Sequence, residues 1–161
     1  MNNPDDIDFY FTLDNHGWSI CYLNIEGAIY SMRLTHVFDN PIDVLLDALI
    51  SILLGKDQAE FKWHDEPGEY DWGIERLDDD KNKVGVTITN CFHINSPDEL
   101  QPSANTLEFE VKLKLFCICI LKQMEKIRDL MADKDFNENR RNQFPHKTFK
   151  EFKIAYERKF S

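Results

Sequence analysis

The chain has 161 residues, 42% of them hydrophobic, and carries 29 Asp/Glu against 19 Lys/Arg for a formal charge of −10 at pH 7. That length suffices for one domain, residues 1–161, with a full core, and the apolar fraction together with twelve phenylalanines excludes a disordered chain. Charge is split unevenly: residues 1–80 sum to −14 and residues 81–161 to +4, which speaks against a nucleic-acid ligand and makes a cationic partner protein the natural complement of the acidic half.

The acidic start, MNNPDDIDFYF, has neither the basic region nor the long apolar run of a secretory leader, and VLLDALISILLG is too short to span a bilayer. A cytoplasmic chain with no membrane partner is therefore expected. Ile7, Phe9, Phe11 and Leu13 alternate with polar neighbours as in a strand. Turn chemistry at residues 14–17 and at Glu26-Gly27 separates two further strand-like runs, so residues 7–37 predict a three-stranded meander. Asn40-Pro41 then supplies an N-cap and a proline for the first turn of a helix at about 41–54, apolar almost all round, with Gly55 as its C-terminal glycine. Strands are expected at about 58–64, 69–76 and 83–92, and a loop at 96–105.

The stretch 106–131 mixes two periods. Leu107, Phe109 and Val111 alternate with charges like a strand, although Glu108 with Lys112 and Glu110 with Lys114 also form helix-type pairs. The apolar positions 113, 116, 120, 124, 127 and 131 keep helical spacing, which predicts a strand at 106–111 running into a helix at about 113–133. Residues 134–143 read as a linker, and a last helix is expected at about 147–158. The fold class is α+β: one antiparallel sheet of six or seven strands, its three helices packed mainly on one face.

The segment KWHDEPGEYDWGIE, residues 62–75, is the most unusual in composition. Pro67-Gly68 suits the centre of a type II turn, which pairs Trp63 with Trp72, His64 with Asp71 and Asp65 with Tyr70. Strand alternation then puts Phe61, Trp63, Tyr70, Trp72 and Ile74 on a core face. Glu60, Glu66, Glu69, Asp71 and Glu75 form an outward row with Lys62 and His64, extended by Asp78, Asp79 and Asp80 in the next turn. That register opposes Glu60 to Glu75 and Glu66 to Glu69, a repulsion folding does not require, so the row is either a solvated face or a docking surface for cations.

Chemistry-bearing motifs are sparse. Cys21, Cys91, Cys117 and Cys119 lack a chelating spacing and read as free thiols; Cys91 and His93 make at most half of a zinc site, and no metal or other cofactor is expected. His64 with Asp71, or Glu66 with Glu69, would place acid–base groups on a wet, convex hairpin without a pocket to tune them, so the chain reads as no enzyme.

The pattern W-x-D-E-P-G-E-Y-x-W, Trp63 through Trp72, resembles a group of small uncharacterised bacterial proteins in which an apolar helix precedes such a hairpin. In them a strand, a long helix and a helix begun by Phe-Pro follow, as KVGVTITNCFHI, the 113–133 helix and Phe144-Pro145 do here. In overall character the chain is also similar to immunity proteins of bacterial toxin–immunity systems, including contact-dependent inhibition. That likeness implies a non-catalytic protein that binds and neutralises a cognate, cationic toxin domain through the acidic row. The alternatives are an adaptor or a small-ligand regulatory domain, or docking through the cationic C-terminal half around Lys147, Lys150 and Lys153.

Overall fold

The computed structural model describes residues 5–66, 68–90 and 106–161, and the backbone of residues 92–93. The expected loop 96–105, the Cys91–His93 pair and the Pro67 half of the type II turn lie outside this description.

The N-terminal meander forms as its alternation predicts. Strands β1 (Ile7–Leu13), β2 (Trp18–Ile25) and β3 (Ala28–Thr35) pair antiparallel, with Phe9 opposite Leu23 and Cys21 opposite Met32. Helix α1 (Pro41–Leu53) begins where the cap chemistry puts it: Asn40 Oδ1 accepts from the N–H groups of Ile42 and Asp43 at 3.0 and 3.2 Å. It ends at Gly55, whose φ of 110° suits a residue without a Cβ. Pro41, Ile42, Leu45, Leu46, Ala48, Leu49, Ile52 and Leu53 are all buried, so this helix is covered on more than one side, while Asp47 keeps a strip of it open to solvent.

Strands β4 (Gln58–His64) and β5 (Glu69–Arg76) form the expected hairpin, β6 spans Lys83–Thr89, and β7 is the two residues Phe92–His93. Strand β8 (Thr106–Lys112) runs without a loop into helix α2 (Leu113–Leu130), and helices α3 (Lys134–Asn139) and α4 (His146–Phe160) close the chain.

The single sheet of six or seven strands is not what forms. The described residues form two antiparallel sheets, ordered β1-β2-β3-β7 and β4-β5-β6-β8. The physical reason lies in what α1 packs on. It lies against β4 and β5 on one side and α4 on another, so the strands that follow it build a second sheet over it instead of extending the first, which α2 covers at β1. The inner faces of the two sheets meet at Phe11 and Trp63, whose ring centroids are 6.1 Å apart, and the buried residues of both sheets join α1, α2 and α4 in one core cluster. The expected strand 83–92 is correspondingly divided. It leaves the second sheet after Thr89, and Asn90 takes a φ of 68°, which Asn tolerates better than most residues; Phe92–His93 then pair with Ser31 and Tyr30 in the first sheet.

The remaining differences are local. The expected linker 134–143 contains α3, whose N-cap Asp133 accepts from Phe136 N–H at 2.9 Å. The long helix stops at Leu130 rather than near 133, and the last helix extends over His146–Phe160. In the hairpin, Asp65 N–H donates to Gly68 C=O at 3.0 Å, with Gly68 at a φ of 119°, so the turn closes earlier than a type II turn centred on Pro67-Gly68 would. Trp63 faces Tyr70, and Phe61 faces Trp72. The register differs from the expected one by two residues, an even number, so every side chain keeps its face. Trp63 and Trp72 are 1% and 2% exposed and meet diagonally at 4.8 Å.

Candidate functional site

The outward face of the β4-β5-β6-β8 sheet is built in cross-strand rows. Gln58, Glu75, Gly85 and Glu110 form one row; Glu60, Gly73, Thr87 and Glu108 form the next; Lys62 and Asp71 begin a third, continued by Thr89 and Thr106. Two glycines therefore stand as diagonal neighbours on adjacent strands at the centre of the face, framed by the carboxylates of Glu60, Asp71, Glu75, Glu108 and Glu110. The result is a trough of about 570 Å³ lined by Gln58, Glu60, Lys62, Asp71, Glu75 and Thr87, with Gly73 and Gly85 in its floor.

Neither glycine is demanded by the backbone, since neither has a positive φ. A Cβ on Gly73 would meet nothing within 4 Å, and one on Gly85 would touch Leu77 Cδ2 at an ordinary 3.5 Å. Glycine inside a strand weakens it and leaves no side chain to pack against its neighbours. The floor of the trough is thus open by composition, not by backbone necessity.

The expected acidic row is only partly brought together. Glu60, Asp71 and Glu75 line the trough. Glu60 faces Gly73 rather than Glu75, and Glu66 sits in the turn rather than opposite Glu69, so the anticipated carboxylate pairs do not exist. Lys62 instead bridges Glu69 at 3.0 Å and Asp71 at 3.3 Å, and those two hydrogen bonds hold its ammonium above its ordinary pKa. Glu66 turns toward the other sheet, where Thr35 Oγ1 donates to it at 3.4 Å. Asp78, Asp79 and Asp80 occupy the turn beyond the trough, with Asp78 near Lys81 and Asp80 near Lys83, both at 3.9 Å. That turn is held by Arg76, which donates to the carbonyl groups of Ile52, Lys56 and Lys81 and so ties the end of α1 to the sheet.

Glu108 and Glu110 belong to the face but were absent from the expected row. Their signal was the alternation of Leu107, Phe109 and Val111, all now buried on the opposite side. His64 does not meet Asp71. It lies 3.7 Å from Asp39 and 4.0 Å from Glu69, with the Phe38 ring 4.8 Å away.

Elsewhere, one close pair has the residue types of acyl-transfer chemistry: Ser19 Oγ and His36 Nε2 are 2.6 Å apart. Ser19 is fully buried, burial pushes His36 down to about 4, and its Nδ1 has no hydrogen-bond partner to orient it. The hydroxyl is out of reach of a substrate, and the pair satisfies a buried serine at the end of the meander. Burial raises the Cys117 thiol, so it is a packed side chain rather than a nucleophile. Among the described residues no group of three or more His, Cys, Asp or Glu could hold a metal ion, and no helix is long and apolar enough to cross a membrane.

Comparison of the chain with protein-family models, with characterised proteins and with solved structures gives no match.

Proposed function

We propose that this chain is a cytoplasmic immunity protein that binds and neutralises a cognate, cationic toxin domain, and that it docks through the trough face of the β4-β5-β6-β8 sheet. The observation that carries the reading is the pair Gly73 and Gly85 under five framing carboxylates. Folding gains nothing from glycine there, whereas β-branched residues would both strengthen the strands and fill the trough. A partner that brings backbone or basic side chains close to the sheet needs that space. Lys62, already satisfied by Glu69 and Asp71, marks where the negative field is weakest and leaves Glu60, Glu75, Glu108 and Glu110 as the groups offered to cations.

A small-ligand regulatory domain is the second reading. The trough volume falls within the range of small-molecule pockets, roughly 300–1,000 Å³. Such pockets are predominantly apolar and enclosed, though, and this one is an open sheet face edged with carboxylates, which suits a larger basic surface better.

Charge-complementary docking of this kind gives fast association that falls steeply with salt, because exposed charges are screened beyond roughly 8–10 Å at physiological ionic strength. The test is co-expression with the toxin domain encoded beside the gene, comparing wild type with a Glu60→Lys/Asp71→Lys/Glu75→Lys triple variant. Protection from killing should be lost and affinity should fall about 100-fold or more, while the thermal midpoint stays close to wild type. A folded triple variant that protects fully would exclude this face and move attention to Lys147, Lys150 and Lys153.

A further inference from the structure

On the side of the molecule formed by helices, α1 and α4 lie side by side and point the same way. Their starts are joined by Asn40 Nδ2 donating to Gln143 C=O at 2.5 Å, about two turns on Asp47 feels the charge of Glu151, and further along Ile50, Leu53 and Leu54 face Ile154, Ala155, Arg158 and Lys159 across a groove of about 620 Å³. The groove is graded along its length. Its first end carries Glu151, with Asp47 and Asp43 just beyond it on α1; its middle carries Ile50, Leu53, Leu54 and Ile154; its far end carries Arg158 and Lys159.

Neither end is neutralised. Among the described residues none of the three carboxylates and neither of the two cations makes an ion pair, and Lys147, one turn before Glu151, makes none with them. The crowding is felt at Asp47, whose carboxyl is raised by partial burial and then by Asp43 and Glu151. The middle is open: Leu54 is 75% and Ile154 39% exposed.

We infer that this two-helix face is a self-complementary interface for a second copy of the same chain. A surface that runs acidic, apolar, basic matches itself when turned end for end, which is the twofold arrangement of most homodimers. The acidic end of each copy then meets the basic end of the other, and Ile50 and Ile154 meet their own counterparts in the middle, with Leu54 one turn to the basic side of it. From Glu151 to Arg158 the rise along a helix is about 10 Å, so two antiparallel copies centred near Ile154 bring both charged ends into register at once. A footprint about two helices wide and 13 to 15 residues long is about 20 Å on a side, below the standard interface of about 800 Å² per partner. The dimer is therefore a reversible one, populated at micromolar concentrations. The face lies on the helix side of the molecule, so the inference stands independently of the trough.

Sedimentation velocity on the full chain, from about 1 to 200 µM at low and at physiological salt, reads the association directly. The expected result is a monomer–dimer equilibrium that weakens with salt. Leu54→Asp should weaken it at least about tenfold, as should the pair Arg158→Glu/Lys159→Glu; adding Asp43→Lys/Asp47→Lys to the latter pair should restore dimerisation, because the ends are then exchanged within each copy. All these positions are exposed or partly exposed helix surface, and far-UV circular dichroism with thermal midpoints verifies that each variant is folded. A chain monomeric throughout the range overturns the proposal and leaves the groove to a helix of another protein. A dimer indifferent to both Leu54→Asp and the charge exchange overturns it as well, since another face would then be in contact.

Discussion

The two sheets turn very different outer faces to solvent. The β1-β2-β3 face is made of large side chains that occupy one another: Tyr10 and Tyr22 lie 6.0 Å apart, Lys126 from α2 sits 4.6 Å over Tyr10, and Arg33 sits 4.7 Å over Trp18. Cross-strand aromatic pairs capped by cations stabilise a sheet, and few groups there are left to seek a partner. The β4-β5-β6-β8 face has Gly73, Gly85, Thr87 and Thr89 at its centre and carboxylates at its margin, its mutual support confined to the corner where Lys62 and Thr89 meet Asp71. One chain thus holds a face composed for folding beside a face composed for something else. Composition at the centre of a sheet, where glycine is the poorest choice, discriminates between them better than charge at its rim.

The largest effects are expected in the core beneath the second face. Trp63 Nε1 donates to Pro41 C=O at 2.9 Å, whereas Trp72 Nε1 is buried without a partner. Trp63→Phe should cost about 1–3 kcal/mol, because it removes volume and a buried hydrogen bond. Trp72→Phe should cost less than about 1 kcal/mol, because losing an unsatisfied donor offsets part of the lost packing. Urea midpoints of the two variants measure the difference, and equal losses would contradict the assignment.

The next test uses pH. His36 is held at about 4 in the folded protein by burial, against an ordinary 6.5 in the unfolded chain. The unfolded state therefore binds the extra proton first as pH falls. This contribution is complete above about 6.5 and is lost progressively toward 4, amounting to about 2 kcal/mol after allowance for the ring's partial exposure. His36→Gln should flatten stability in that window. In wild type at pH 5, tryptophan fluorescence, which draws on Trp18 in the first sheet and on Trp63 and Trp72 in the second, and far-UV dichroism should still melt together, since one core joins both sheets. Separate transitions would show two independent units.

The smallest effects bear on the faces themselves. Tyr22→Ala should destabilise by about 1 kcal/mol through its loss of contact with Tyr10. Gly73→Thr should do the reverse, adding about 0.5 kcal/mol, while lowering affinity for the partner because it fills the trough. A Gly73→Thr variant that is destabilised would mean that the glycine serves the fold after all.

Local signals in the sequence were reliable where one interaction decides the outcome. The alternation of Ile7 to Leu13 gave β1, Asn40-Pro41 and Gly55 bounded α1, and the aromatic face of the hairpin followed from parity alone. What escaped were outcomes set by distant partners. Nothing near Thr89 shows that the strand will leave one sheet for the other, because that depends on where the edge of β3 lies. The role of Glu108 and Glu110 depended on whether residues 106–112 paired with β6, which the local helix-type charge pairs obscured. Helix α3 buries none of its residues, so no apolar period announced it; only Asp133 at its cap did.

The way α2 reaches β1 has a consequence for how the protein is made. Phe11 N–H at the outer edge of β1 is met by Gln123 Oε1 at 3.4 Å, Leu13 C=O by Arg140 Nε at 2.6 Å, and Asp5 by Lys112 at 3.1 Å. Each of these partners follows more than 100 residues later, the separations being 112, 127 and 107. During synthesis the meander emerges first, and its exposed edge waits for the last third of the chain before it is covered. An uncovered strand edge is a template for pairing with other chains. A product truncated after β6 would carry that edge permanently, so the C-terminal helices guard the nascent N-terminus against its neighbours as well as completing the fold.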